Sequence, residues 1–204
     1  MAIVSLSGRR KLTEIGLSVA VIYFAWILQL TVLSAITLKD VICSLPLTIT
    51  IVWGAVFGSR LPALTPDEMR NSSLSDVILR QAVAGSVSGA LIGATFGALY
   101  ASVIPTYPVY LPVIGWIAGY FCLKNYSQPA LFCIPLVFMA TILAETMMAG
   151  QLALLGRPAV IENLVQIAMP EAAINAIIAP LVFFPLRGWY EFSQNHLTAT
   201  DDRG

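Results

Sequence analysis

The sequence predicts an all-α protein, a polytopic membrane bundle of six transmembrane helices, and three observations carry that prediction. First, 58% of the 204 residues are hydrophobic and 11% are charged, with a mean hydropathy of +0.82. Soluble domains carry roughly 25% charged residues, so this composition cannot coat a water-facing surface. Second, the charges fall between long uncharged runs, and about 20 mostly apolar residues in a helix cross the hydrocarbon core. Third, Lys and Arg are distributed very unequally between alternate loops. The composition excludes a soluble enzyme, a disordered tail and a nucleic-acid binder. With 11 basic and 11 acidic residues there is no overall basic field to attract polyanions. Cys43, Cys122 and Cys133 lie in apolar stretches and have neither a disulfide pattern nor metal-ligand spacing.

Taken in order, Ile15 to Leu38 runs without a charge and gives the first span, and Val41 to Ser59 gives the second. The run from Gln81 to Leu123 is too long for one crossing and contains Pro105, Pro108 and Pro112, which disfavour a helix interior. It divides into a third helix over 78–103 and a fourth over 109–124. A fifth follows over 128–149 and a sixth over 168–190. The stretch 151–167, interrupted by Gly156, Arg157, Pro158 and Glu162, reads as a loop with an interfacial helical turn. Between spans two and three, the segment around 59–76 is hydrophilic, with Pro62, Pro66 and an Asn-Ser-Ser cluster. It reads as a loop, with Ser75 and Asp76 placed to cap helix three. Residues 1–192 form one membrane domain and 193–204 a polar tail.

Six spans put both termini on one side. Arg9, Arg10, Lys11, Arg60, Arg70, Arg80, Lys124, Arg187 and Arg203 lie on that side, against Lys39 and Arg157 on the other. Nine against two in short loops predicts cytoplasmic termini and a cytoplasmic 59–76 loop. Arg9-Arg10-Lys11 ahead of an apolar run also fits a signal peptide, but the run is longer than the usual 7–15 residues and favours an uncleaved span. Tyr107, Tyr110, Trp116, Tyr126, Trp189 and Tyr190 suit headgroup depth or packing, and Trp53, inside span two, suits packing against another helix.

The chemistry-bearing inventory is sparse. There is no phosphate loop with a Lys, no histidine pair and no Cys-x-x-Cys, and the single histidine, His196, lies in the tail. No enzyme, cofactor or metal site is expected. Helix three is the most informative segment: Gly85, Gly89, Gly93 and Gly97 fall four apart, with Ser86, Ala90, Ala94 and Ala98 in a second row beside them. Of the 22 residues from Gln81 to Ser102, 14 are small. Each helical glycine costs up to about 1 kcal/mol, and close backbone approach between membrane helices is the compensating gain. The row serves either packing within the bundle or docking of a partner. A charge at a helix centre costs roughly 2.5–3.5 kcal/mol on the insertion scale, which singles out Glu145 and Glu171. Glu145 lies late in helix five, near the outer boundary. Glu171, just after Pro170, opens helix six, where the helix dipole favours a carboxylate. Asn175 is one turn further on and deeper. These three form a polar membrane cluster, serving capping and inter-helix hydrogen bonds or else a ligand or proton site; Gln29 is a weaker parallel.

Four segments resemble the rod shape-determining MreD family. GSVSGALIGATFGALY (Gly85 to Tyr100) is similar to its glycine-stepped helix, and VIGWIAGYF (Val113 to Phe121) to its following span. LVFMATILAETM (Leu136 to Met147) carries the late glutamate, and PEAAINAIIAPLVFFPLRGWYEF (Pro170 to Phe192) resembles the final span. The resemblance covers about residues 15–192. Members often carry an aspartate after the Leu-Tyr pair, whereas Ala101 follows Tyr100 here. The 59–76 loop and the N-terminus are longer than in the family. The resemblance implies a non-catalytic scaffold in the bacterial inner membrane, part of the cell-wall elongation machinery. It would bind the bitopic protein MreC and act with MreB filaments, the glycosyltransferase RodA and its transpeptidase. It also implies a fold similar to the substrate-binding subunits of energy-coupling-factor vitamin transporters, which supplies the alternative function. A vitamin binder calls for an outward pocket of aromatic and polar groups and a small-residue docking row in helix one. Helix one is bulky and the small row sits in helix three, which favours the scaffold.

Overall fold

The computed structural model describes residues 19–29, 31, 37–38, 41–58, 85–121, 123, 128–157 and 159–201. Helix α1 spans Val19–Gln29. Strands β1 (Thr37–Leu38) and β2 (Val41–Ile42) pair antiparallel, with Thr37 opposite Ile42. There follow α2 (Leu45–Phe57), α3 (Val87–Tyr100), α4 (Tyr107–Ala118) with a 3-10 turn at Gly119–Phe121, and α5 (Pro129–Leu154). The short α6 (Ala159–Glu162) leads into α7 (Leu164–Asp201). The described residues are mostly helical.

Two helices, α5 and the Leu164–Phe192 part of α7, are long and apolar enough to cross a membrane. The others are shorter. α2 has 13 residues, α3 14 and α4 12, so α2 is about 20 Å long at 1.5 Å per residue. Several expected boundaries are corrected. The first span does not reach Leu38, because β1 occupies 37–38, and the second begins at Leu45 because β2 takes 41–42 and Pro46 sits in the first helical turn. Of the third, 78–84 lies outside the described residues, as do Ser75 and Asp76. The helix itself starts at Val87 under the Ser86 cap, whose Oγ accepts from Gly89 N at 3.0 Å.

The stretch 151–167 is more helical than its sequence suggests. α5 continues to Leu154 and stops at Gly156, in the left-handed region at φ 85°. Gly156 N donates to Ala153 O and Arg157 N to Leu152 O, the paired bonds of a Schellman cap. α7 then starts at Leu164 and runs through Pro170 rather than beginning there. The N–H that Pro170 lacks would have bonded the carbonyl of Gln166, an exposed residue whose carbonyl can find a partner outside the bundle.

The core is organised around α2. Every residue of α2 except Phe57 is buried, as expected of a helix apolar on all sides. The α3–α4 hairpin packs on it, and so does the antiparallel pair of α5 and α7. Trp53 stacks on Phe57 of its own helix at 4.6 Å between centroids, and Phe57 meets the Tyr190 ring edge-on.

Candidate functional site

Two constructions dominate the interior: a glycine junction and a polar cluster at the N-terminal end of α2. In the junction, α3 meets α2 and α4 along Gly89, Gly93 and Gly97. A Cβ on Gly89 would lie 2.7 Å from Gly54 Cα and would strike the Gly115 carbonyl. On Gly93 it would lie 2.9 Å from Pro112 N, and on Gly97 2.7 Å from Pro108 Cα. Gly58, at the end of α2, faces the Gly119 carbonyl oxygen at 2.7 Å on the same construction. Real Cβ atoms do not approach backbone this closely, so the three helices require hydrogen at these positions. Gly85 precedes α3 and packs under the Trp116 ring, and Ser86 N donates to Trp116 O at 3.2 Å. In the second row Ala90 is half-buried, while Ala94 and Ala98 are exposed. Gly54 and Gly58, not among the expected site residues, repeat in α2 the spacing of four that marks helix three.

The polar cluster begins with orphan backbone groups. Residues at a helix N-terminus have N–H groups with no partner in the helix, and those of α2 are buried. Asn175, on α7 and fully buried, accepts at Oδ1 from Ser44 N at 3.0 Å and from the Cys43 thiol at 3.2 Å. Its Nδ2 donates to Thr141 Oγ1 on α5 at 3.4 Å. From α1, Gln29 grips the same segment with both ends of its amide: Oε1 accepts from Leu45 N and Nε2 donates to Cys43 O, each at 2.8 Å. Ser44 Oγ lies 3.3 Å from Tyr107 OH, and the Tyr107 ring in turn meets Tyr110 edge-on at 5.4 Å between centroids. One segment, Cys43 to Leu45, therefore receives side chains from α1, α4 and α7.

Glu145 and Glu171 lie beside this cluster with Asn175, each further from its helix end than expected. Glu145 is 3% exposed, one turn along α5 from Thr141. Glu171 does not open its helix but lies in the second turn of α7, 9% exposed, one turn before Asn175. The two glutamates sit on facing turns of α5 and α7, one turn from the Thr141–Asn175 bond. The antiparallel packing of α5 on α7 requires this pairing, since it sets Thr141 opposite Asn175 and hence Glu145 opposite Glu171. Tyr107 and Tyr110, read as headgroup or packing residues, are buried packing residues. The hydroxyls of Tyr100 and Thr106 are buried with no hydrogen-bond partner among the described residues, and the Tyr100 ring lies 5.8 Å from that of Tyr107.

A third feature is an apolar groove of about 390 Å³ between α4 and α5, lined among others by Ile114, Phe121, Phe132, Met139 and Leu143. Its lining offers alkyl and aromatic surface only. Among the described residues no group of three His, Cys, Asp or Glu side chains is placed to hold a metal ion. No protein-family model, curated protein or solved structure matches this chain.

Proposed function

We propose that this chain is a non-catalytic, multi-pass scaffold of the bacterial inner membrane, an MreD-like component of the cell-wall elongation machinery. The observation that carries the reading is how the core polar groups are used. Asn175 and Gln29 spend both ends of their amides on the chain's own backbone and side chains, so they fix helices rather than bind a substrate. The outward surface supports the membrane setting: Leu91, Leu131, Met139, Ile177 and Leu181 are all more than 60% exposed, a pattern stable in lipid and not in water. The six spans are α1 to α5 and α7, with both termini cytoplasmic. Short helices and non-helical backbone at membrane depth are tolerated where protein covers them, as around α2. On this reading the function is helix association, with MreC as the direct partner and MreB, RodA and its transpeptidase beyond it.

A second reading, a binding subunit of a vitamin-type transporter, is favoured by one observation: Tyr107, Tyr110, Glu145 and Glu171 gather at one end of the bundle. Co-purification from membranes with MreC, run beside a vitamin-binding screen on the purified protein, separates the two. MreC recovered with no ligand supports the scaffold. Tight vitamin binding with no MreC recovered overturns it.

A further inference from the structure

α4 and α5 are consecutive helices that touch only lightly, whereas α3 packs closely on α4 and α5 on α7. The groove left between them runs along α4 from Ile114 to Phe121 and along α5 from Phe132 to Leu143. The eleven residue steps from Phe132 to Leu143 rise about 16 Å, half of the roughly 30 Å hydrocarbon core and so the depth of one leaflet. At that depth water, a second helix or a lipid chain could fill the groove. Water needs two to four polar partners, and the described residues that line the groove offer no N–H, O–H or oxygen-bearing side chain. A transmembrane helix is about 10–12 Å across and approaches its neighbours through small residues. Here the small residues of the described lining are Ala118 and Ala140, set among Phe121, Phe132, Met139 and Leu143. Left empty, the walls would forfeit dispersion contacts on that side. An apolar cavity of about 150 Å³ holds benzene, with six carbons, so a groove of about 390 Å³ holds roughly fifteen. That is one acyl chain.

We propose that the α4–α5 groove holds one acyl chain of a membrane phospholipid, drawn from the leaflet at which α4 ends and α5 begins. The inference goes beyond the scaffold reading; it rests on the membrane setting stated there and on no partner. The chain supplies the packing that α4 and α5 do not give each other directly, and so joins the α3–α4 hairpin to the α5–α7 pair. It covers Phe121, Phe132, Met139 and Leu143, which are all exposed in the bundle alone. Met139, unbranched and polarizable, adapts to a filler of no fixed shape.

The test is photolabelling of the full chain in nanodiscs by a phospholipid with a diazirine midway along one acyl chain, read by peptide mass mapping. Leu91 on α3 and Leu181 on α7 are about as exposed as Met139 but lie outside the groove, so they report ordinary lipid contact. Met139 and Phe132 should be labelled several-fold more than either. Ala140→Phe fills the groove and should bring their labelling down to the level of Leu91 and Leu181. Leu143→Trp, on a more exposed part of the wall, does the same if the first variant fails to fold. Equal labelling inside and outside the groove of the parent overturns the proposal, and so does groove labelling that a filled groove leaves unchanged. A photoreactive residue in place of Leu143 that captures a second polypeptide instead of lipid would show a helix in the groove and likewise overturn it. No labelling at any of these positions would overturn the membrane setting, and the proposal with it.

Discussion

Gly89 on α3 and Gly115 on α4 meet backbone to backbone, so that a Cβ built on either strikes the carbonyl oxygen of the other. The contact lies where α2 also arrives, through Gly54. Three helices share a point at which none has a side chain.

That geometry predicts a sharp contrast among glycines. Gly89→Ala and Gly115→Ala should each destabilise the purified protein by about 1–3 kcal/mol, because the clash is with backbone and no rotamer relieves it. Leucine at Gly89 or Gly93 should cost more. Gly150 and Gly188 are helical with nothing within 4 Å of a would-be Cβ, and alanine there should be neutral or stabilising by up to about 1 kcal/mol. Thermal denaturation of the four alanine variants checks this. Equal effects at buried and open positions would refute the packing argument.

Asn175→Leu should destabilise by about 1–3 kcal/mol, since Ser44 N and Thr141 Oγ1 are left buried without their partner. The isosteric Asn175→Asp keeps the acceptor for Ser44 N, yet it adds a charge beside Glu171. It should fall below the parent and recover as pH is lowered. Melting curves at two pH values distinguish these outcomes.

Gln29→Leu removes both bonds to the 43–45 segment and should cost a similar amount, about 1–3 kcal/mol. Gln29→Glu retains the bond from Leu45 N, loses the donor to Cys43 O and should lie between the parent and the leucine variant. A leucine variant as stable as the parent would show that α1 does not hold α2 through this amide.

Gly156→Ala tests the end of α5. A left-handed alanine costs roughly 1–2 kcal/mol, whereas asparagine tolerates that conformation better. The expected order of melting temperatures is parent, Gly156→Asn, Gly156→Ala. Any other order would mean that the turn relaxes without the cap.

Much of this was legible in the residues, and the rest was hidden for identifiable reasons. The spacing of Gly89, Gly93 and Gly97 announces a close-packed helix, because three helical glycines at intervals of four need compensation. Gly54 was harder to read: α2 is apolar on every side, so no stripe marks which face meets a neighbour. Glu171 was misplaced because Pro170 reads as a helix start, whereas here the preceding turn leaves its freed carbonyl on an exposed residue. Glu145 looked peripheral from its distance to the end of a 149-terminated helix; α5 runs five residues further and carries it inward. The partners of Asn175 and Gln29 were illegible because backbone N–H groups at a buried helix start leave no trace in composition.

The complete burial of α2 bears on how the chain is made. An apolar segment covered by protein on nearly every side has no stable setting until the helices that enclose it have been synthesised, and α3, α4, α5 and α7 come later in the chain. Until α7 arrives, Ser44 N and Cys43 wait for Asn175, and the flank of α2 that α7 covers stays open. A nascent chain stopped after α4 would carry an unsheltered second helix, a ready target for chaperones and proteases. α7, made after the helices it covers, is the one that seals this side of α2.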